Sequence, residues 1–263
     1  MKKLLVGLWA MFVCVASATT INLDWFVDGN TYAQTTCESG GNLNIPSTTP
    51  TKRGYHFIGW EKSNYIQLDY IESTGTQYID TGVGYTTNTI LEVEFQKLQT
   101  VGIGNNLFGT GSEFSSSDDF SLWCTADSGL AIHLPYPKVD SKRQLSDESI
   151  IDKAYLKVNL ATRTILLNDS SYVVDNKTTT SGSNIPITLF TAPFTSQYVS
   201  NFIGRVFSFK LYNNGILVCN LIPAKRISDN AIGMYDTVTR TFFTNQGTGD
   251  FIAGPVSANQ TLE

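Results

Sequence analysis

The sequence predicts an all-β protein, a sandwich or jelly roll, and three observations carry that prediction. Short apolar runs alternate with period two, which sends successive side chains to opposite faces of a strand. Gly, Ser, Thr, Asn and Asp punctuate these runs at short intervals, as closely spaced strands and tight turns require. Only one short stretch reads as a helix.

Taken in order, Ile21-Asn-Leu-Asp-Trp-Phe-Val27 alternates and runs into a turn at Asp28-Gly29. Ile90-Leu-Glu-Val-Glu-Phe95 puts Val93 and Phe95 toward a core and its glutamates on the opposite face. The candidate helix covers 146–153, with Ser146 as N-cap and Asp147 and Glu148 near the positive end of its dipole. Residues 155–160 and 164–168 form a hairpin around Ala161-Thr-Arg163. A second hairpin joins 206–212 to 216–222 through Asn213-Asn214-Gly215. Asn-Gly accepts positive φ at both central positions of a tight turn, so this is the strongest hairpin signal in the chain.

Composition narrows the function classes. Eighteen Lys and Arg stand against 23 Asp and Glu, a net charge of −5, where a nucleic-acid binder would carry a basic patch. A hydrophobic content of 41% is enough to build a core, which argues against disorder. With only His56 and His133 present, metal and acid–base chemistry have little to draw on.

The start of the chain reads as an export leader over residues 1–18. Lys2 and Lys3 precede an apolar run from Leu4 to Val15, and Ala16-Ser17-Ala18 supplies the small residues of a cleavage site after Ala18. That run is shorter than the ~20 residues a membrane span needs, and no later stretch qualifies. The expected location is therefore secreted, cell-surface or periplasmic. Of the cysteines beyond the leader, Cys37, Cys124 and Cys219, a Cys124–Cys219 bridge is compatible with the spacing but not required by it. No Cys-x-x-Cys occurs to hold zinc.

Two resemblances divide the chain. Pro50-Thr-Lys-Arg-Gly-Tyr-His-Phe-Ile-Gly-Trp60 resembles the closing signature of internalin-type repeats, a small β-grasp-like module, through Pro50, Gly54, Tyr55, Phe57, Gly59 and Trp60. Residues 19–64 are assigned to it. Leu68-Asp-Tyr-Ile-Glu-Ser-Thr-Gly-Thr-Gln-Tyr-Ile-Asp-Thr-Gly82 resembles the opening of a laminin G-like, concanavalin A-type lectin/glucanase jelly roll. The stretch at 222–236 and Phe242-Phe-Thr-Asn-Gln-Gly-Thr-Gly249 resemble its close. That domain is assigned 65–255, leaving 256–263 as a tail. The resemblance implies two antiparallel sheets of about six or seven strands, one concave and often carrying ligand.

Catalytic chemistry finds little support. Glucanases of this fold carry Glu-x-Asp-x-Glu on one strand, because retaining hydrolysis needs a nucleophile and an acid/base on one face. Glu92-Val-Glu94-Phe-Gln96 supplies two acids, but Gln96 cannot donate a proton as a carboxylic acid does. No Gly-x-Ser-x-Gly elbow occurs, and Gly109-Thr-Gly111 and Gly247-Thr-Gly249 read as turns. Binding is better served. Trp123, Tyr136 and Tyr198 are the aromatics suited to stacking on sugar rings, each with a reading as core or rim beside it. Asp118, Asp119 and Asp127 are loop acids of the kind that hold Ca²⁺ in laminin G-like domains, or that simply meet solvent. The expectation is an exported, non-catalytic protein binding carbohydrate or an extracellular protein. A glycoside hydrolase using Glu92 and Glu94, and a spacer of the cell envelope, are the alternatives.

Overall fold

The computed structural model describes residues 2–10, 20–27, 30–38, 42–98, 105–113, 116–124, 129–135, 142–145, 152–174, 182–193 and 200–258. Among these residues there is strand, turn and loop but no helix. None is therefore long and apolar enough to cross a membrane. The chain divides into two compact units, 1–67 with 225–231 and 256–263, and 68–224 with 232–255.

The first unit contains β1 (Lys2–Ala10), β2 (Thr20–Val27), β3 (Asn30–Glu38), β4 (Tyr55–Lys62) and the short β5 (Tyr65–Gln67). Four of these form a sheet in the order β3-β2-β1-β4, antiparallel except for the parallel pair β1 and β4. Residues that read as a leader thus form an inner strand here, while Ala18 lies outside the described residues. Leu23, Trp25 and Cys37 are the buried core, with Ala33 packed against them. The Trp25 indole donates to Thr35 Oγ1 at 2.8 Å, which satisfies the one polar atom of that ring.

The second unit is a jelly-roll sandwich. Its strands are β6 (Ile71–Thr74), β7 (Ile79–Asp80), β8 (Ile90–Lys97), β9 (Asn105–Thr110), β10 (Phe120–Cys124), β11 (Leu130–His133) and β12 (Lys142–Leu145). They continue with β13 (Ala154–Asn159), β14 (Thr164–Leu167), β15 (Ser170–Val173), β16 (Thr188–Leu189), β17 (Ser200–Asn201) and β18 (Ile203–Asn213). The last are β19 (Ile216–Arg226), β20 (Ile232–Asp236), β21 (Thr241–Thr244) and β22 (Ile252–Ala253). The smaller sheet runs β12-β11-β10-β9-β16-β7, with β17 parallel to β9. The larger runs β15-β14-β13-β8-β18-β19-β20-β21, and β6 and β22 extend it beyond the expected size.

Alternation fixes what each sheet buries. Across the smaller sheet Ile79, Leu189, Phe108, Leu122 and Ile132 sit in register, all fully buried. The larger sheet contributes Leu91, Val93, Phe95, Leu156, Val158, Val206, Phe209 and Leu211, also fully buried. Each such side chain contributes about 1.5–3 kcal/mol of burial, so the sandwich core dominates stability.

The hairpin predicted at Asn213-Asn214-Gly215 forms as expected, with Asn214 at φ 51° and Gly215 at φ 78°. The turn after β13 also forms, but Arg163 is 1% exposed and its guanidinium donates to the Pro135 carbonyl at 2.9 Å. Gly109 and Thr110 belong to β9, so of the Gly109-Thr-Gly111 stretch only Gly111 turns the chain. Residues 146–151 of the expected helix lie outside the described residues, and Asp152 and Lys153 are not helical. Cys37, Cys124 and Cys219 are free and buried, so no Cys124–Cys219 bridge forms. Burial pushes the Cys124 thiol up to about 11 and raises Cys219 further, which makes both inert.

Candidate functional site

The face of the smaller sheet opposite the core is polar. One register row crosses it from β7 to β11: Asp80, Thr188, Gly109, Ser121 and His133, with Lys142 of the edge strand β12 next in register. Toward its inner end the row is closed. Asp119 is 1% exposed, accepts from Ser121 Oγ at 2.6 Å and lies 2.6 Å from His133 Nδ1. The Trp123 ring tilts against the His133 ring, with centroids 4.5 Å apart. A buried carboxylate needs such partners, because leaving one unpaired costs several kcal/mol.

The chain crosses this face just after β16. Phe190 takes φ 66°, a strained conformation for a non-glycine residue that its burial between Phe202 and Phe251 enforces. The bend lays Ala192 directly on Gly109, where any added Cβ would sit 2.3 Å from the Ala192 Cβ. Thr188 Oγ1 lies 3.0 Å from the carbonyls of Gly109 and Thr191 and fixes the crossing.

At the Asp80 end the row opens into a cleft of about 750 Å³. Tyr78, Asp80, Thr188, Thr191, Ala192 and Asn201 line it, and the turns at Gly75-Thr76 and Gly247-Thr248 form its rim. These two turns, some 170 residues apart, are clasped together. Asn245 Oδ1 accepts from the Tyr78 amide at 3.0 Å and the Gly247 amide at 2.8 Å, and its Nδ2 donates to the Gly249 carbonyl at 2.6 Å. Gln77, 3% exposed, accepts from the Thr74 amide at 2.9 Å and donates to the Asp250 carbonyl at 3.2 Å. Backbone bonds from Gln246 to Tyr78 and from Thr248 to Thr76 complete the clasp. Gly247 is required there, since a Cβ would lie 2.0 Å from the Thr76 carbonyl oxygen.

The clasp leaves three polar ends available. Asp80 Oδ1 accepts from the Gly82 amide at 2.8 Å, which orients the carboxylate. Among the described residues, Asp80 Oδ2, the Tyr78 hydroxyl and the Asn201 side-chain amide have no protein hydrogen-bond partner. An aromatic ring, a carboxylate and an amide on a rigid scaffold can stack on one face of a sugar and hold its hydroxyls as donors and acceptors.

Residues singled out from sequence distribute differently. Trp123 lies on the same polar face but is 5% exposed against His133, so it is no open platform. Asp118 is oriented by Ser112 and Ser116, and Asp119 by Ser121 and His133. Partial burial pushes the Asp118 carboxyl up, but the bonds from Ser116 and Ser112 outweigh it and hold it below the usual value. Among the described residues no three His, Cys, Asp or Glu side chains gather as a metal site. Asp127, Tyr136 and Tyr198 lie outside the described residues.

Glu92 and Glu94 occupy the larger sheet's outer face, each with a lysine: Lys157 at 2.9 Å and Lys153 at 2.8 Å. Gln96 there accepts from Arg205. Sequence reading missed Tyr78, Asp80, Asn201 and the organising Asn245 and Gln77. All but Asn201 sit inside stretches quoted for the fold, where an amide side chain beside Gly-Thr turns was the available signal.

No family model matches this chain, and no curated relative matches it. Among solved structures it is similar to a candidate carbohydrate-binding protein from Bacteroides ovatus at 11% identity and a TM-score of 0.45, covering 91% of this chain and 70% of that one. It is also similar to the heptameric SAP-like pentraxin of Limulus polyphemus, at 8% identity and a TM-score of 0.41, over 74% of this chain and 96% of that one.

Proposed function

We propose that this protein is an exported, non-catalytic glycan-binding protein whose jelly roll takes sugar in the cleft at Tyr78, Asp80 and Asn201. The observation that carries the reading is the cleft itself. Three polar ends without protein partners converge on it, and a hydrogen-bonded rim holds it open before any ligand arrives. Its volume falls within the roughly 300–1,000 Å³ usual for small-molecule sites, enough for a short stretch of sugar rings. Export rests on the basic, apolar and small-residue succession over residues 1–18. The non-catalytic part rests on Gln96 and on the lysine held by each of Glu92 and Glu94, on a sheet away from the cleft.

A glycan panel followed by isothermal titration of the full chain tests this. Binding is expected to weaken about tenfold or more in Asn201→Ala and in Tyr78→Ala, the loss of one directed hydrogen-bonding or stacking contact. A panel with no binder, or variants that bind as the parent does, would refute it.

A further inference from the structure

The lining of the cleft also carries a charge pattern. Asp80 is the one ionisable acid or base among its described lining residues apart from the Tyr78 phenol, and no Lys, Arg or His is among them. The nearest register partners of Asp80 are neutral as well: Thr188, then Gly109, then Ser121. The Gly82 amide fixes the Asp80 carboxylate through Oδ1, and no cation is among the described residues that line the cleft.

Resting on the glycan reading, we infer that the cleft selects uncharged sugars and rejects acidic ones, with Asp80 as the specificity-determining residue. A neutral ring offers hydroxyl donors to Oδ2 and gains a charge-assisted hydrogen bond. A uronate placed in the same pose brings a second carboxylate beside an exposed Asp80, with no cation among the described lining residues, and like charges a few ångströms apart repel. Tyr78 and Asn201 do not discriminate between the two, since ring stacking and an amide serve both.

The test is titration of the full chain with galacturonate, glucuronate and mannuronate trisaccharides, each beside its carboxyl-reduced counterpart. At low ionic strength the reduced form is expected to bind about fivefold tighter than the acid, the effect of one like-charge contact at an exposed carboxylate. The ratio should shrink as salt rises to about 0.5 M, because screening removes the repulsion. Asp80→Asn should bring it close to one by restoring the acids rather than only losing the neutral ligands. Equal or tighter binding of the acids, or a ratio unmoved by both salt and Asp80→Asn, overturns the inference while leaving glycan binding intact. Binding by neither series, with no binder on a wider neutral panel, overturns the glycan reading and the selectivity together.

Discussion

The jelly roll has two faces turned away from its core, and they handle polar residues in opposite ways. On the larger sheet Glu92, Glu94, Glu72 and Gln96 lie on neighbouring strands beside Lys157, Lys153 and Arg205, and each acid is matched by a cation within 3 Å. Arg205 and Lys153 also cover the rings of Tyr70 and Phe207, at 4.4 and 4.6 Å from their centroids. The smaller sheet buries a carboxylate, an imidazole and a hydroxyl as one bonded unit, and the open ends of Tyr78, Asp80 and Asn201 belong to residues that line the cleft. Paired surface charges contribute little to stability and nothing to recognition, whereas polar ends held unpaired on a rigid rim are available to a ligand.

Breaking the buried unit is expected to have the largest effect. His133→Ala removes a partner of a carboxylate that is 1% exposed, and should cost about 3 kcal/mol, a fall in melting temperature on the order of 6–12 °C. Thermal unfolding followed by tryptophan fluorescence checks this, and a change under 1 kcal/mol would mean the pair is not the keystone of that face.

A smaller loss of stability, but a larger loss of binding, is expected from opening the rim. Asn245→Ala deletes one hydrogen bond between the two turns and two that shape its own turn, and since these last two are exposed each bond is worth about 0.5 kcal/mol, the low end of the usual range. Hydrogen exchange should accelerate at the Tyr78 and Gly247 amides first, and glycan affinity should fall although Asn245 is not among the residues lining the cleft. Unchanged affinity with faster exchange would show that the rim does not preorganise the site.

The smallest effect belongs to the opposite face. Glu92→Gln breaks an ion pair whose lysine is 40% exposed, and should change stability by about 0–1 kcal/mol, less at high salt. Glycan affinity should stay as it was. Sugar release by the parent that disappears in this variant would reverse the assignment of the two faces.

Much of the fold was legible because its causes are local. Period-two alternation at Ile90 to Phe95 put Val93 and Phe95 in the core, and Asn214-Gly215 closed its hairpin, since strand pleat and turn dihedrals act over a few residues. The same alternation put the two glutamates of β8 on the face opposite the core, where they are half-buried beside lysines. The site was far less legible. Trp123 read as platform, core or rim because a lone tryptophan in a strand does not say what covers it, and here His133 packs against it. Asp118 and Asp119 looked alike in sequence, yet adjacent residues point to opposite sides of the chain, and only Asp119 reaches the buried histidine.

The sequence by itself determined an all-β chain, its principal hairpins and the turn at Gly247-Thr-Gly249. Only the tertiary structure decided that this turn meets the one at Gly75-Thr76. Asn245 and Gln77 reach partners 167 and 173 positions away, contacts that no local pattern encodes and that form only when the sandwich closes. The register across three strands likewise decided that Asp80, Thr188 and Gly109 share a face, and that Gly109 stays bare so Ala192 can cross it. A cleft is a property of surfaces brought together by the burial of distant residues, which is why its parts were visible in the sequence and its existence was not.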